Sequence, residues 1–315
     1  MIIMLGSFFA IFLVLWALAS GLFLVVYPAL RHTFFALHPR AGSALLLAFW
    51  AAPFLVSVCT TLLLFLPDME TLLVDAHCHA VCESHVPLIQ SWKVAAFGLV
   101  LGSAVLGVLA LWAGSIVLRS FRLHQQFGML SQNRGAYYVL QSSIPLVFTL
   151  GWWKSRIYVS EALLRACSPE ELGVILLHEA SHKARRDNLR LLFARLCLSV
   201  LGRPRARRMM DDLHLLTEQA CDSDAAEQHG PVLVAETLLK VKRLMSRGHT
   251  PRVALAFAER EVEIRIRALL ATQLRPALAA WQFALLAAGA TGILAMLVRP
   301  LHHGAEWAMV LLAAV

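Results

Sequence analysis

His178-Glu179-Ala180-Ser181-His182 is the stretch on which the reading of this chain turns. On an α-helix its two histidines, four residues apart, project from one face. Both imidazoles can then reach a single Zn2+ while Glu179 stands beside the water such an ion carries. That spacing serves metal-assisted hydrolysis. The residues upstream predict the helix: Ser168-Pro169-Glu170-Glu171 offers an N-cap serine, a proline at the first helical position and a glutamate at the third. Leu172, Val174, Ile175, Leu176 and Leu177 then make the segment before His178 apolar on most sides. A buried helix of that kind holds its ligands rigidly.

A catalytic zinc needs three protein ligands and a water, so one ligand has to come from elsewhere. Glu218-Gln219-Ala220-Cys221-Asp222 offers it. Glu218 and Asp222 are four apart on one helical face, which lets Glu218 ligate while Asp222 hydrogen-bonds the far nitrogen of a ligand histidine, His178 being the expected one. The other common pattern needs a glycine and a third histidine soon after His182, where Lys183-Ala184-Arg185-Arg186-Asp187-Asn188 stands instead. The expected metal set is therefore His178, His182 and Glu218, with Glu179 as general base and then acid, and Asp222 behind a histidine. A donor for the developing oxyanion is also expected, and Tyr158, His214 and His229 are its candidates.

Around these motifs the chain is apolar. Over 315 residues a mean hydropathy of +0.67, with 59% hydrophobic and 15% charged residues, does not suit a soluble domain. Residues 1–30, 43–66, 94–118 and 276–298 carry no Asp, Glu, Lys or Arg, and each is long enough to cross a hydrocarbon core at about 1.5 Å per residue. They predict four transmembrane helices. The first lacks a basic n-region and a small-residue cleavage site, so it is expected to stay as an anchor.

Charge sets the orientation. Of 28 Lys and Arg, all but Arg31, Arg40, Lys93 and Arg299 lie in residues 119–275, which hold 24 bases against 15 acids, a net of +9 (24 − 15). The positive-inside rule places that domain and the short loop at residues 31–41 in the cytoplasm, with both termini and the loop at residues 67–92 outside. A pI near 9.5 is explained by these juxtamembrane bases, so no direct nucleic-acid binding is expected. Arg203, Arg205, Arg207 and Arg208 suit anionic lipid headgroups. Short strands are expected at residues 136–141 and 155–160, a core or interfacial helix at 189–201, and helices at about 207–228, 231–245 and 258–270.

Ser155-Arg156-Ile157-Tyr158-Val159-Ser160 leading to Ser168-Pro169-Glu170-Glu171-Leu172, then the His178 motif with Arg185-Arg186-Asp187-Asn188-Leu189, and Glu218-Gln219-Ala220-Cys221-Asp222, resemble the BlaR/MecR family of membrane metallopeptidases. Cys221 before Asp222 favours this family over the HtpX-like membrane proteases. The likeness covers roughly residues 119–270 and the surrounding spans. It implies a mainly α protein of the bacterial inner membrane: a four-helix transmembrane bundle with a cytoplasmic α+β gluzincin-type zinc metallopeptidase domain inserted between the third and fourth spans. The divisions are residues 1–118, 119–275, 276–298 and an extracytoplasmic tail at 299–315. It further implies signal transduction by proteolysis that ends in loss of a transcriptional repressor. Two departures stand out: a Trp and Asn-Pro segment between the motifs is missing, and no penicillin-binding sensor domain follows the fourth span. Antibiotic sensing is therefore not expected.

The partners expected are membrane lipids, a protein substrate such as a winged-helix repressor or the chain itself, and further copies in a homo-oligomer. A quality-control protease of the HtpX kind and a non-catalytic metal-binding receptor are the alternatives. The intact Glu179 argues against the receptor, because a structural metal site needs no general base.

In the outer loop, His77-Cys78-His79-Ala80-Val81-Cys82-Glu83-Ser84-His85 packs two Cys and three His into nine residues. Cys78, Cys82, His85 and one of His77 or His79 suit a second Zn or Cu ion. A Cys78–Cys82 disulfide is the alternative on an oxidising side.

Overall fold

A computed structural model describes residues 2–65, 91–246 and 252–271, together with Pro276 and Gln282. Cys78, His79, Cys82 and His85 of the outer loop, the expected fourth span apart from Pro276 and Gln282, and the tail lie outside the described residues.

Among the described residues, three helices are long and apolar enough to cross a membrane: α1 (Ile2–Ala36), α2 (Pro39–Phe65) and α3 (Trp92–Met129). Their outward faces carry large apolar side chains such as Leu18, Val25, Val100 and Leu111, which suits contact with lipid. α1 and α3 approach through small residues. Gly98 and Gly102 of α3 pack on α1, where a Cβ at Gly98 would stand 2.6 Å from the Gly6 carbonyl oxygen and 2.8 Å from Ala10 Cβ. In α2, Ser57 and Thr61 bond back to the carbonyls of Pro53 and Ser57 at 2.7 and 2.6 Å, which satisfies hydroxyls inside an apolar segment.

The helices outrun the charge-free windows. α3 continues past Arg119 and Arg122 to Met129, and α1 continues past Arg31 to Ala36, so that α2 starts again at Pro39 after two residues. The expected loop at residues 31–41 is thus a tight turn: charge ends the apolar stretch without ending the backbone hydrogen bonding.

Beyond α3 comes a four-stranded sheet in the order β1-β2-β4-β3. Its strands are β1 (Ser131–Asn133), β2 (Tyr138–Leu140), β3 (Val147–Leu150) and β4 (Arg156–Ser160). β2 and β4 pair in parallel, whereas the β1–β2 and β3–β4 pairs are antiparallel. Two of these strands answer the expected segments; β1 and β3 do not. β1, a Ser-Gln-Asn stretch, has no β-branched or aromatic residue to mark it, and β3, at four residues, is too short to show an alternation.

The short helix α4 (Glu161–Ala166) leads to α5 (Pro169–Arg185), α6 (Asp187–Cys197) with a 3-10 turn at Leu198–Leu201, α7 (Arg203–His229), α8 (Pro231–Ser246) and α9 (Arg252–Ala271). α5 is held on two sides. Ile175 joins Ile157, Val159 and Leu163 beneath the sheet, and Val174 joins Ala225, Val234 and Leu269 of α7, α8 and α9. A third core contains Tyr27, Phe34, Leu46 and Trp50 of α1 and α2 with Ala194, Leu198, Met209, Leu213 and Leu216 of α6, its 3-10 turn and α7. α1 and α2 therefore share a packed interior with α6 and α7 of the downstream domain.

Candidate metal centre

The helix of the motif is fixed at its start. Ser168 Oγ accepts from the Glu171 amide at 3.2 Å while Glu171 Oε2 accepts from the Ser168 amide at 2.7 Å, a closed capping box. Lys240 of α8 donates to the same carboxylate at 2.6 Å. These bonds and the apolar packing fix the part of α5 that carries His178 and His182.

His178 Nε2 and His182 Nε2 face each other at 3.2 Å, and the Glu218 carboxylate of α7 lies 3.4 Å from each of them. On the opposite side of the rings, His178 Nδ1 is 3.0 Å from Asp222 Oδ1, and His182 Nδ1 is 2.9 Å from Asp187 Oδ2. A carboxylate can only accept, so each Nδ1 carries the proton and donates it. Both Nε2 atoms are thereby turned toward Glu218, where each offers a lone pair to an ion once its proton is lost. Four ligands about 2.0–2.1 Å from a tetrahedral ion stand about 3.4 Å apart. The two nitrogens stand close to that edge from each other, and each meets a Glu218 oxygen near it, Oε2 for His178 and Oε1 for His182, so the residues can hold a zinc ion as an N2O set with one position left over.

The charges are arranged for a cation. Burial works against the imidazolium of His178, but the bonds to Asp222 and Glu218 outweigh it and raise its pKa to about 10. His182 is raised as well, against its burial, chiefly by Asp187. Burial alone would raise the carboxyl groups of Glu218 and Asp222. Arg265 of α9 and the histidines overcome it and hold both below the usual carboxylate range.

Glu179, 8% exposed, lies on the same helix, and its Oε2 accepts from Thr149 Oγ1 of β3 at 2.7 Å. His178, Glu179, His182 and Glu218 open into a cavity of about 430 Å3 with an apolar wall that includes Phe148, Leu191 and Val241. Of the three candidate oxyanion donors, His214 lines this cavity and Tyr158 and His229 do not. Tyr158 is fully buried in a ring cluster with Phe127, Tyr138 and Phe148. His229 packs on Gly173 near the start of α5. Burial, then Arg195, lowers the pKa of His214 and favours its neutral, donating form.

Several participants are not evident in the sequence. Asp187 reaches His182 because Arg186, at φ 54° and ψ 44°, turns the chain back between α5 and α6. Helical spacing ends one residue too early to reveal it. Arg265 grips Asp222 with two bonds of 2.7 and 2.8 Å and lies 3.0 Å from Glu218 Oε2. Cys221 Sγ is 3.4 Å from His182 Nδ1 and 3.7 Å from Asp187 Oδ2. Arg190 and Arg185 already neutralise Asp187, at 2.9 and 3.4 Å, so this trio is the outer hydrogen-bonding shell of His182.

The start of α2 also touches the site. Ser181, inside the motif, bonds to Asp224 of α7, and Asp224 pairs with Arg40, which also binds Glu227 at 2.8 Å. His38 Nε2 lies 3.2 Å from Ser223 Oγ, next to Asp222.

A metal-facing triad, an adjoining carboxylate and an edge strand set over long apolar helices can be compared with known proteins. Residues 81–269 match the model of the BlaR1 peptidase M56 family. The chain belongs to that family. It is thus a peptidase, of a family whose members generally depend on a metal, and its three apolar helices suit it to a membrane. Searches of curated proteins and of solved structures give no match.

Proposed function

We propose that the chain is an integral-membrane zinc metalloendopeptidase that transduces a signal by cutting a cytoplasmic protein, either a transcriptional repressor or itself. The observation that carries the zinc assignment is the set of 3.2–3.4 Å separations among His178 Nε2, His182 Nε2 and Glu218. These three residues would hold the ion, and Asp222 and Asp187 would keep the two imidazoles in the ligating tautomer. Zinc bound there would supply Lewis acidity toward a scissile carbonyl and an activated water.

The remaining chemistry belongs to the side chains. Glu179 takes the proton of the attacking water and passes it to the leaving amine. Thr149, bonded to one carboxylate oxygen, leaves the other to do this. Neutral His214 donates to the oxyanion that develops on the carbonyl.

The edge strand supports a peptide substrate. Leu146 bonds to Ser160 of β4, so alternation turns the backbone groups of Val147 and Thr149 toward the open edge of β3. A substrate laid along that edge pairs with main-chain groups, as in β-strand addition, and passes Glu179. Asn188 Nδ2 donates to the Thr149 and Gly151 carbonyls at 3.2 and 3.0 Å and closes the far end of the strand.

The shared core of α1, α2, α6 and α7 supports a signalling role, because a shift of α1 or α2 is felt at the helix that carries Glu218. The excess of bases in residues 119–275 supports a cytoplasmic peptidase domain with both termini outside. A membrane quality-control protease of the HtpX kind shares all the chemistry and differs in substrate range. Comparing membrane and soluble proteomes of cells carrying the wild type and Glu179→Gln tests the proposal. One stabilised repressor, or loss of self-cleavage, supports signalling; many stabilised membrane proteins replace it with quality control.

A further inference from the structure

Among the residues that line the cavity, Arg265 has no part in the ligation or proton transfer described above, yet it pairs directly with the ligand Glu218 and with Asp222. It enters from α9, with its side chain 12% exposed, and places all three guanidinium nitrogens on the two carboxylates of the Glu218–Asp222 pair. Nε and Nη2 form a two-pronged bond to Asp222 at 2.8 and 2.7 Å, while Nη1 faces Glu218 Oε2 at 3.0 Å. Asp222 in turn faces His178 Nδ1 at 3.0 Å.

This geometry does two things that a plain charge would not. The planar fork fixes the Asp222 plane, and with it the tilt of the His178 ring. The third nitrogen holds Glu218 Oε2, which also stands 3.4 Å from His178 Nε2, and leaves Oε1, at the same 3.4 Å from His182 Nε2, as the oxygen that Arg265 does not bind. A carboxylate with one oxygen held in this way offers a cation a single donor.

We propose that Arg265 is a positioning residue for the metal, keeping Glu218 a one-oxygen ligand and His178 aligned, so that the bound ion has three protein donors and an open fourth position. This rests on the zinc assignment. Three donors with one open position is the arrangement a hydrolytic zinc requires, whereas a carboxylate that closes on the ion with both oxygens takes the place of water or substrate. The competing account makes Arg265 only a buried ion-pair partner that supports the fold.

The test uses the full-length chain in detergent, stripped of metal. Zinc affinity is measured by chelator competition, and the visible absorption of the Co2+-loaded protein reports coordination number. For Arg265→Gln the expected result is a zinc affinity about 10–100-fold weaker, typical of losing an outer partner of a ligand, with Co2+ bands weakened as coordination expands beyond four. Arg265→Lys keeps the charge without the fork. It should restore folding and part of the affinity while the Co2+ bands stay altered. Should Arg265→Gln not fold, Arg265→Lys decides alone. Wild-type affinity and a wild-type Co2+ spectrum in whichever variants fold would overturn the proposal and leave Arg265 as structural support. A wild-type chain that takes up neither zinc nor cobalt would instead overturn the zinc assignment itself.

Discussion

Arg185 Nη2 donates to Ser43 Oγ across 2.8 Å, tying the helix of the metal motif to the N-terminal part of α2. Arg185 Nε also lies 3.4 Å from Asp187, the carboxylate behind His182. One guanidinium thus connects an apolar helix to a metal-facing imidazole through a single intermediate. Arg185 Nη1 has no hydrogen-bond partner among the described residues, so Ser43 is a partner the group can ill lose. Ser43→Ala should lower the stability of the detergent-solubilised chain by about 1–3 kcal/mol, the cost of leaving a buried donor unpaired. Thermal or denaturant unfolding reads it. An unchanged midpoint would mean that water replaces Ser43 and that the tie has no energetic weight.

Glu179→Gln preserves the shape of the side chain and removes its basicity. Its Oε2 accepts from Thr149 at 2.7 Å, and an amide oxygen can take that bond over. The variant should bind zinc as the wild type does and cleave about 10²–10⁴-fold more slowly, the usual contribution of a positioned general base. Metal content and cleavage of the cellular target are measured on the same preparation. Full proteolysis by this variant would remove Glu179 from the reaction.

Zinc binding should tighten as pH rises. Without an ion the His178 pKa is raised from 6.5 to about 10, Asp222 and Glu218 outweighing the effect of burial, so at neutral pH the imidazole must give up a proton to ligate. Calorimetric titration of zinc into the stripped chain at pH 7, in buffers of different ionisation heat, should show at least one proton released per ion. The same shift stabilises the metal-free fold. That contribution is complete below pH 6.5, the ordinary value, and is lost as pH rises through about 10. Zinc uptake without proton release would contradict it.

The sequence reveals whatever local periodicity encodes. A separation of four residues puts His178 with His182 and Glu218 with Asp222 on single helical faces, and the box at Ser168 marks the start of α5. Contacts made across a turn or between distant helices leave no such trace. Asp187 depends on the left-handed conformation of Arg186, and Arg265 on the packing of α9 against α7. Thr149 sits on a strand of four residues, too short to be read from its pattern. Among the described residues, the apolar windows locate the three long helices and misjudge their ends, because Arg31 and Arg119 are as compatible with helix as leucine is.

The close approach of α1 and α3 predicts opposite outcomes for two glycines of one helix. A side chain at Gly98 would meet the Gly6 carbonyl oxygen at 2.6 Å and Ala10 Cβ at 2.8 Å, whereas nothing lies within 4 Å of a Cβ at Gly107. The obstacle at Gly98 is the backbone of α1, which cannot rotate aside as a side chain can. Gly98→Leu should therefore force the helices apart and cost about 1–3 kcal/mol or more. Gly107→Leu faces open space and should stay within about 0.5 kcal/mol of wild type. Thermal unfolding of both variants in the same detergent separates the cases. Equal losses would mean that leucine acts through helix propensity or lipid contact alone and that Gly98 has no special place in the α1–α3 contact.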